Sequence, residues 1–396
     1  MSQQGKILSA VSLIHAINDA SVAVVSILFP IFKVLFELNY TQVGIITGGG
    51  LFVTLVAQLI LGKITDGKNV NSFLLIGLLM TSLSLVILSF SSGFLTLLLF
   101  IFFIRFATSF FHPIGIGWIS RIYKKNKLDW AMGIQSGLSD FGVFLASLTT
   151  LSITQLTNWK IPLYAWACIC IIGLVVSFAL TNQLNTELVI VTKEPKKHTP
   201  REMASDAFKR MKGIRLLIPA FIISGASWGV IITYFPLLLT ERTPLSLPII
   251  GFLVAIWAGI GSITSLSYGR IQSYIHRKKL LLLSYLIIGI LSLLLAIFTN
   301  IILLIGVMIL LGIAVFMTYP ALMSFVSEVT HESVEGWTFG LTFMFQTGGG
   351  TILLFLSGVL SDLFGISMPF ALLGILSFLF TLILLAKYQK PFATTV

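Results

Sequence analysis

The feature that most constrains this chain is a series of apolar runs, each about 20 residues long and almost free of charge. A run of that length crosses a hydrocarbon core of about 30 Å as an α-helix. Twelve such spans are read: 7–32, 42–62, 73–92, 94–118, 130–156, 161–181, 214–239, 249–269, 280–299, 301–325, 336–360 and 365–386. The runs do not alternate with period two, which excludes a transmembrane barrel. Composition agrees. Charged residues make up 10% of the 396, against roughly 25% in a soluble domain, too few to build a polar shell. The expected fold is an all-α membrane protein. Met1–Lys6 is short and polar and the first apolar run has full span length, so no cleaved signal peptide is expected. Cys168 and Cys170 lie two apart in one span, face different directions and cannot bridge each other.

The net charge of +11 is explained by topology rather than by nucleic acid. With the N-terminus inside, 21 Lys and Arg fall on one set of loops and three (Lys33, Lys160 and Arg242) on the other. That asymmetry follows the positive-inside rule. It predicts a multi-pass protein of the cell (inner) membrane with both termini in the cytoplasm, whose large-scale partner is the lipid bilayer and not nucleic acid.

Unusual residues recur at an offset of 207: Gly62 with Gly269, Pro113 with Pro320, Trp130 with Trp337, Gly133 with Gly340, and Gly142 with Gly349. A Trp, a Pro and three Gly in one register predict an internal repeat. The expected organisation is a six-helix half at 1–184, a cytoplasmic linker at 185–213 and a second half at 214–396. The linker carries Lys193–Pro200 and a basic amphipathic stretch, Arg201–Lys212, suited to anionic headgroups. Two such halves match transporters that bind substrate near the midplane and rock to expose it on either side.

With this architecture the chain resembles the major facilitator superfamily. Gly62-Lys63-Ile64-Thr65-Asp66-Gly67-Lys68 is similar to that superfamily's loop after the second span, although Gly67 stands where a basic residue is usual. Gly62, Asp66 and Lys68 are therefore candidate gating residues; a tight turn with a solvated acid is the alternative. His15-Ala16-Ile17-Asn18-Asp19, Phe111-His112-Pro113 and the Gly-rich Gly133–Gly142 resemble motifs of fosmidomycin-resistance-type efflux proteins. That resemblance implies proton-coupled export of small organic compounds. The substrate does not transfer, because one fold hosts many substrates.

Ionisable groups inside a bilayer are costly and mark function by default. The clearest, His15, Asp19, Arg105, His112 and Asp140, all fall in the first half, and these are the candidate proton-coupling residues. His15 and Asp19 are at i,i+4 on one helix face. Burial favours a neutral carboxyl and a nearby cation favours the carboxylate, so helix motion can exchange a proton there. Arg105 and His112, seven apart, are expected on one stripe of span 4. Arg105 needs a counter-charge, and Asp19 and Asp140 are the interior candidates; snorkelling to the outer interface is the alternative. For each acid the competing role is a structural polar contact between helices. Asn18, Gln135, Trp228, Tyr234, Trp257, Tyr319 and Gln346 are the weaker candidates for substrate contact, Tyr319 occupying the repeat position of His112. Gly348-Gly349-Gly350 lacks a following Lys and reads as close packing.

No zinc-ligand spacing, phosphate-binding loop or nucleophile elbow is present in the sequence. The chain is expected to be no enzyme, to need no metal or cofactor, and to act as a monomer on a small-molecule substrate and protons. The competing expectations are proton-coupled uptake of a metabolite or siderophore-like compound, and a membrane sensor or lipid-handling protein that moves nothing.

Overall fold

The computed structural model describes residues 2–65, 68–123, 125–189, 215–329 and 335–388. Every regular element in it is helical: α1 (Gln3–Ile27), α2 (Phe29–Leu35), α3 (Tyr40–Ile64), α4 (Val70–Leu88), α5 (Phe94–Thr108), a π-helical turn (His112–Ile116), α6 (Gly117–Ile122), α7 (Lys125–Leu156), α8 (Lys160–Thr181), α9 (Thr186–Val189), a 3-10 turn (Arg215–Leu217), α10 (Ile218–Arg242), α11 (Leu247–Tyr274), α12 (Arg277–Leu295), α13 (Ile301–Val329), α14 (Glu335–Phe364) and α15 (Met368–Tyr388). Twelve segments are long and apolar enough to span a membrane, as the apolar runs predict. The expected linker lies almost wholly outside the described residues.

In a bilayer the backbone must satisfy itself, which helices do. Their ends then need partners. Asn39 Oδ1 accepts from Gln42 N (2.8 Å) while Gln42 Oε1 accepts from Asn39 N (3.0 Å), a reciprocal cap on α3. Asn69 Oδ1 accepts from Ser72 N (3.2 Å) and Asn300 Oδ1 from Ile302 N (2.9 Å), capping α4 and α13 without a reciprocal bond. The two helices that open each group of six, α1 and α10, are 83% buried over their most apolar windows, against 33% for α8. They therefore form the inside of the bundle, and helices such as α8 turn apolar side chains like Ile172 and Val175 outward.

Two span boundaries differ from the sequence reading, and proline explains both. Span 1 was expected to run to residue 32. Instead α1 ends at Ile27 and α2 restarts at Phe29, with Pro30 in its first turn. Proline has no N–H to donate and its ring clashes with the preceding turn. In span 4, α5 stops at Thr108 and the π-helical turn begins at His112, next to Pro113. Pro236 and Pro320 stay inside unbroken helices.

The N- and C-terminal groups meet along two long helix pairs, α3 with α14 and α7 with α11. Glycine sets the first contact: a Cβ added to Gly48 would sit 2.7 Å from Thr351 O. Without a hydrophobic drive between helices in lipid, such close approach supplies the packing. On the second pair, Ser262 Oγ donates to Gly137 O at 2.7 Å.

Candidate functional site

The site starts on α1. His15, Asn18 and Asp19 come within four residues, and His15 and Asn18 are buried. Asn18 Nδ2 donates to Asp19 Oδ1 (3.0 Å), and His15 Nε2 lies 3.2 Å from Asp19 Oδ2. The opposite wall is α7. A Cβ on Gly142 would collide with Ala16 O, so glycine there lets α1 and α7 approach closely. That approach brings Ser139 Oγ to within 2.5 Å of Asp19 Oδ2, to which it donates. It also places His15 Nδ1 3.2 Å from Gln135 O. A carbonyl oxygen only accepts, so Nδ1 carries the proton and Nε2 faces the carboxylate.

The third wall comes from the π-helical turn. Phe111 stacks on His15 at 4.1 Å between ring centroids, with planes 15° apart. His112 Nε2 stands 4.0 Å from Asp19 Oδ1. His15, Asp19 and His112 thus offer three ligand atoms within 4.8 Å of one another. π-turns are rare and concentrate at functional sites. This one begins at His112, whereas Arg105 lies in α5, which ends at Thr108. The Arg105 side chain lies along α3, where a Cβ on Gly50 would be 3.0 Å from its Cγ. The expected Arg–Asp contact is not made. Among the described residues no carboxylate lies within 4.0 Å of Arg105, although Asp19 acts on it through space.

Asp140 follows Ser139 on α7 but points elsewhere. It lies against Ser265 of α11, in the C-terminal group. The two acids therefore sit apart: Asp19 among the N-terminal helices, and Asp140 where the two groups touch.

The weaker candidates scatter. Gln135 donates to Ser136 Oγ at 2.8 Å and leaves its own Oε1 buried without a partner. Tyr319 and His112 each approach Phe343, with centroids 6.3 Å apart in both cases. Gln346 keeps an unpartnered Oε1, while its backbone crowds Gly225. Trp228 is half-buried against the core. Tyr234 and Trp257 are fully enclosed. Tyr234 donates to Leu354 O (3.0 Å) and Trp257 packs on Phe316 (4.8 Å), so in this conformation both pack helices together. Of the gating loop, Gly62 lies at the end of α3 and Lys68 Nζ stands 5.8 Å over the Phe73 ring. Asp66 lies outside the described residues.

Sequence reasoning missed a polar contact between the groups at the face opposite the start of α1. Asp362, at the end of α14, accepts from Tyr40 N (2.9 Å) and Thr41 N (2.7 Å) at the start of α3. Tyr40 Oη donates to Glu241 of α10, and Lys33 Nζ lies 4.5 Å over the Tyr40 ring. In the sequence Asp362 is a lone acid near the end of the eleventh apolar run. No local pattern announces that it caps a helix from the other group.

The sequence profile of the Major Facilitator Superfamily matches residues 11–353 and, again, 277–395. The chain belongs to the major facilitator superfamily. The fold agrees. A crystal structure of a bacterial homolog of the human lysosomal transporter Spinster, inward-facing and unoccupied, superposes with TM-score 0.73 at 15% identity, covering 98% of this chain and 95% of that one. A POT family transporter in complex with 5-aminolevulinic acid superposes with TM-score 0.77 at 14% identity, covering 97% and 96%. The uncharacterized MFS-type transporter YfnC of Bacillus subtilis (strain 168) is 35% identical over 109 residues. That match spans 28% of this chain and 27% of the length of the curated relative. As a major facilitator protein the chain is a multi-pass membrane protein with the superfamily's twelve-helix fold.

Proposed function

We propose that this transporter exports small organic compounds in exchange for protons, as the fosmidomycin-resistance-type efflux group does, and that protons are taken up at the His15–Asp19–His112 cluster. The observation that carries the reading is donor bookkeeping. His15 Nδ1 is committed to the Gln135 carbonyl, so Nε2 meets the Asp19 carboxylate at 3.2 Å. Two acceptors at that distance repel unless one of them holds a proton, either as imidazolium or as carboxylic acid. Ser139 and Asn18 fix the carboxyl in place. Asp140, against Ser265 of the opposing helix group, is the second acid and links proton occupancy to the contact that must open and close.

The polar contacts among Asp362, Tyr40 and Glu241 join the groups at one face. With both termini in the cytoplasm, as the loop charges favour, this is the closed outer gate. On this reading the substrate is loaded from the cytoplasmic side, as an exporter requires.

The test is transport in proteoliposomes under an imposed pH gradient. The parent should move substrate against its own gradient. Asp19→Asn should lose this driven transport while still binding substrate in detergent. Unchanged driven transport in both Asp19→Asn and Asp140→Asn refutes coupling through these acids. Accumulation toward the cytoplasmic side would make the protein an importer. Binding without flux would make it a sensor.

A further inference from the structure

We propose that His15 Nε2, an Asp19 carboxylate oxygen and His112 Nε2 form a binding site for a divalent d-block cation of the Zn2+ or Co2+ kind. The sequence shows no metal-ligand spacing because the third ligand comes from a different span. The fold brings it in: the three donor atoms lie within 4.8 Å of one another, with His15 Nε2 at 3.2 Å and His112 Nε2 at 4.0 Å from the two Asp19 oxygens. Zinc bonds of about 2.0–2.2 Å in a tetrahedron put neighbouring ligand atoms about 3.3–3.5 Å apart. The His15–Asp19 edge is close to that length, and the edges to His112, none longer than 4.8 Å, need to close by about 0.5–1.4 Å. His112 begins the π-helical turn, a segment outside the regular hydrogen-bond ladder and so able to adjust.

Three further observations point to a cation. His15 Nε2 is buried without a hydrogen-bond partner, and His15 is 5% exposed. With Nδ1 protonated, the Nε2 lone pair is aimed into the cluster and at the Asp19 carboxylate, where a cation can take the place of the proton the two groups otherwise share. The other ring nitrogen is held by Gln135 O at 3.2 Å, the backing that metal-bound histidines commonly have. Asp19 is likewise braced from both sides, by Asn18 and Ser139. Two imidazoles and one carboxylate select a borderline transition metal over Mg2+ or Ca2+, which take oxygen ligands. The charge is also met in part: Asp19 is a direct ligand, and Asp140 is close enough to interact with both His15 and Asp19. Three protein ligands leave a fourth position for water or a solute.

The experiment uses the full chain in detergent and needs no transported substrate, so its outcome is independent of direction and of proton coupling. Co2+ is titrated and followed by its visible absorption, and Zn2+ by calorimetry. One equivalent of each should bind, with tetrahedral Co2+ bands. His112→Ala should weaken binding by more than about 100-fold, beyond the 10–100-fold typical of losing a backing residue. His276→Ala, at an exposed helix start, should change nothing. His112→Cys keeps a ligand, and if the alanine variant does not fold it decides the matter alone: it should bind Co2+ with an added sulfur-to-cobalt charge-transfer band. The proposal is overturned if the parent binds no cation, or if binding is the same in His112→Ala, or if Co2+ in His112→Cys shows no sulfur band.

Discussion

Replacing Asp362 with alanine should open the gate that this residue holds. Four N–H groups at the start of a helix lack partners within it. At α3, Asn39 serves Gln42, and Asp362 serves Tyr40 and Thr41. Asp362 belongs to α14 and Tyr40 to α3, so these bonds exist only while the two groups touch at this face. Losing a capping side chain costs about 0.5–2 kcal/mol, and losing a negative charge at a helix N-terminus about 0.3–1 kcal/mol. The closed form should therefore lose about 2 kcal/mol, roughly a thirtyfold shift toward open. The reporter is Thr47→Cys, a buried position below Tyr40 on α3, in a background where Cys168 and Cys170 are alanine. A membrane-impermeant thiol reagent is added from the Asp362 face. Labelling should speed up by roughly ten- to thirtyfold in Asp362→Ala and by less in Asp362→Asn, which keeps one accepting oxygen. If Thr47→Cys reacts no faster in Asp362→Ala than in its parent, the cap contributes nothing to closure and the reasoning fails.

Other substitutions test the packing. Gly142→Ala forces a methyl against Ala16 O and should cost about 1–3 kcal/mol in thermal unfolding and impair transport; Gly133→Ala, with open space around it, should do neither. Pro113→Ala should let the span-4 helix run regularly, turn His112 away from Asp19 and abolish transport without lowering Tm; full activity would mean the π-helical turn does not position His112. Tyr234→Phe removes the bond to Leu354 O and should lower stability by about 0.5–1.5 kcal/mol with KM unchanged. A raised KM would restore Tyr234 as a substrate contact.

Much of the molecule is legible in the chain because the bilayer is a demanding solvent. It requires about 20 apolar residues per crossing, so the twelve spans can be read directly, and it makes buried charge expensive, so His15, Asp19, Arg105, His112 and Asp140 stand out. The i,i+4 spacing placed His15 beside Asp19. Periodicity alone cannot say which helix lies opposite. That Ser139 holds Asp19, that Phe111 stacks on His15 and that Asp140 faces Ser265 depend on where α1, α7 and α11 cross.

Regular helical geometry also failed where the backbone is irregular. Arg105 and His112 share a stripe in an ideal helix, but α5 ends at Thr108 and the π-helical turn starts at His112, and of the two only His112 lies within 4.0 Å of Asp19. The Asp362 cap on α3 is likewise invisible in sequence, since its partners are backbone N–H groups, which every residue but proline carries. The sequence by itself determined the solvent, the crossings and the inventory of interior charges, because these follow from the transfer cost of each side chain. Only the tertiary structure decided which charges meet, because contact between helices depends on glycine clearances and a single π-helical turn that no transfer energy encodes.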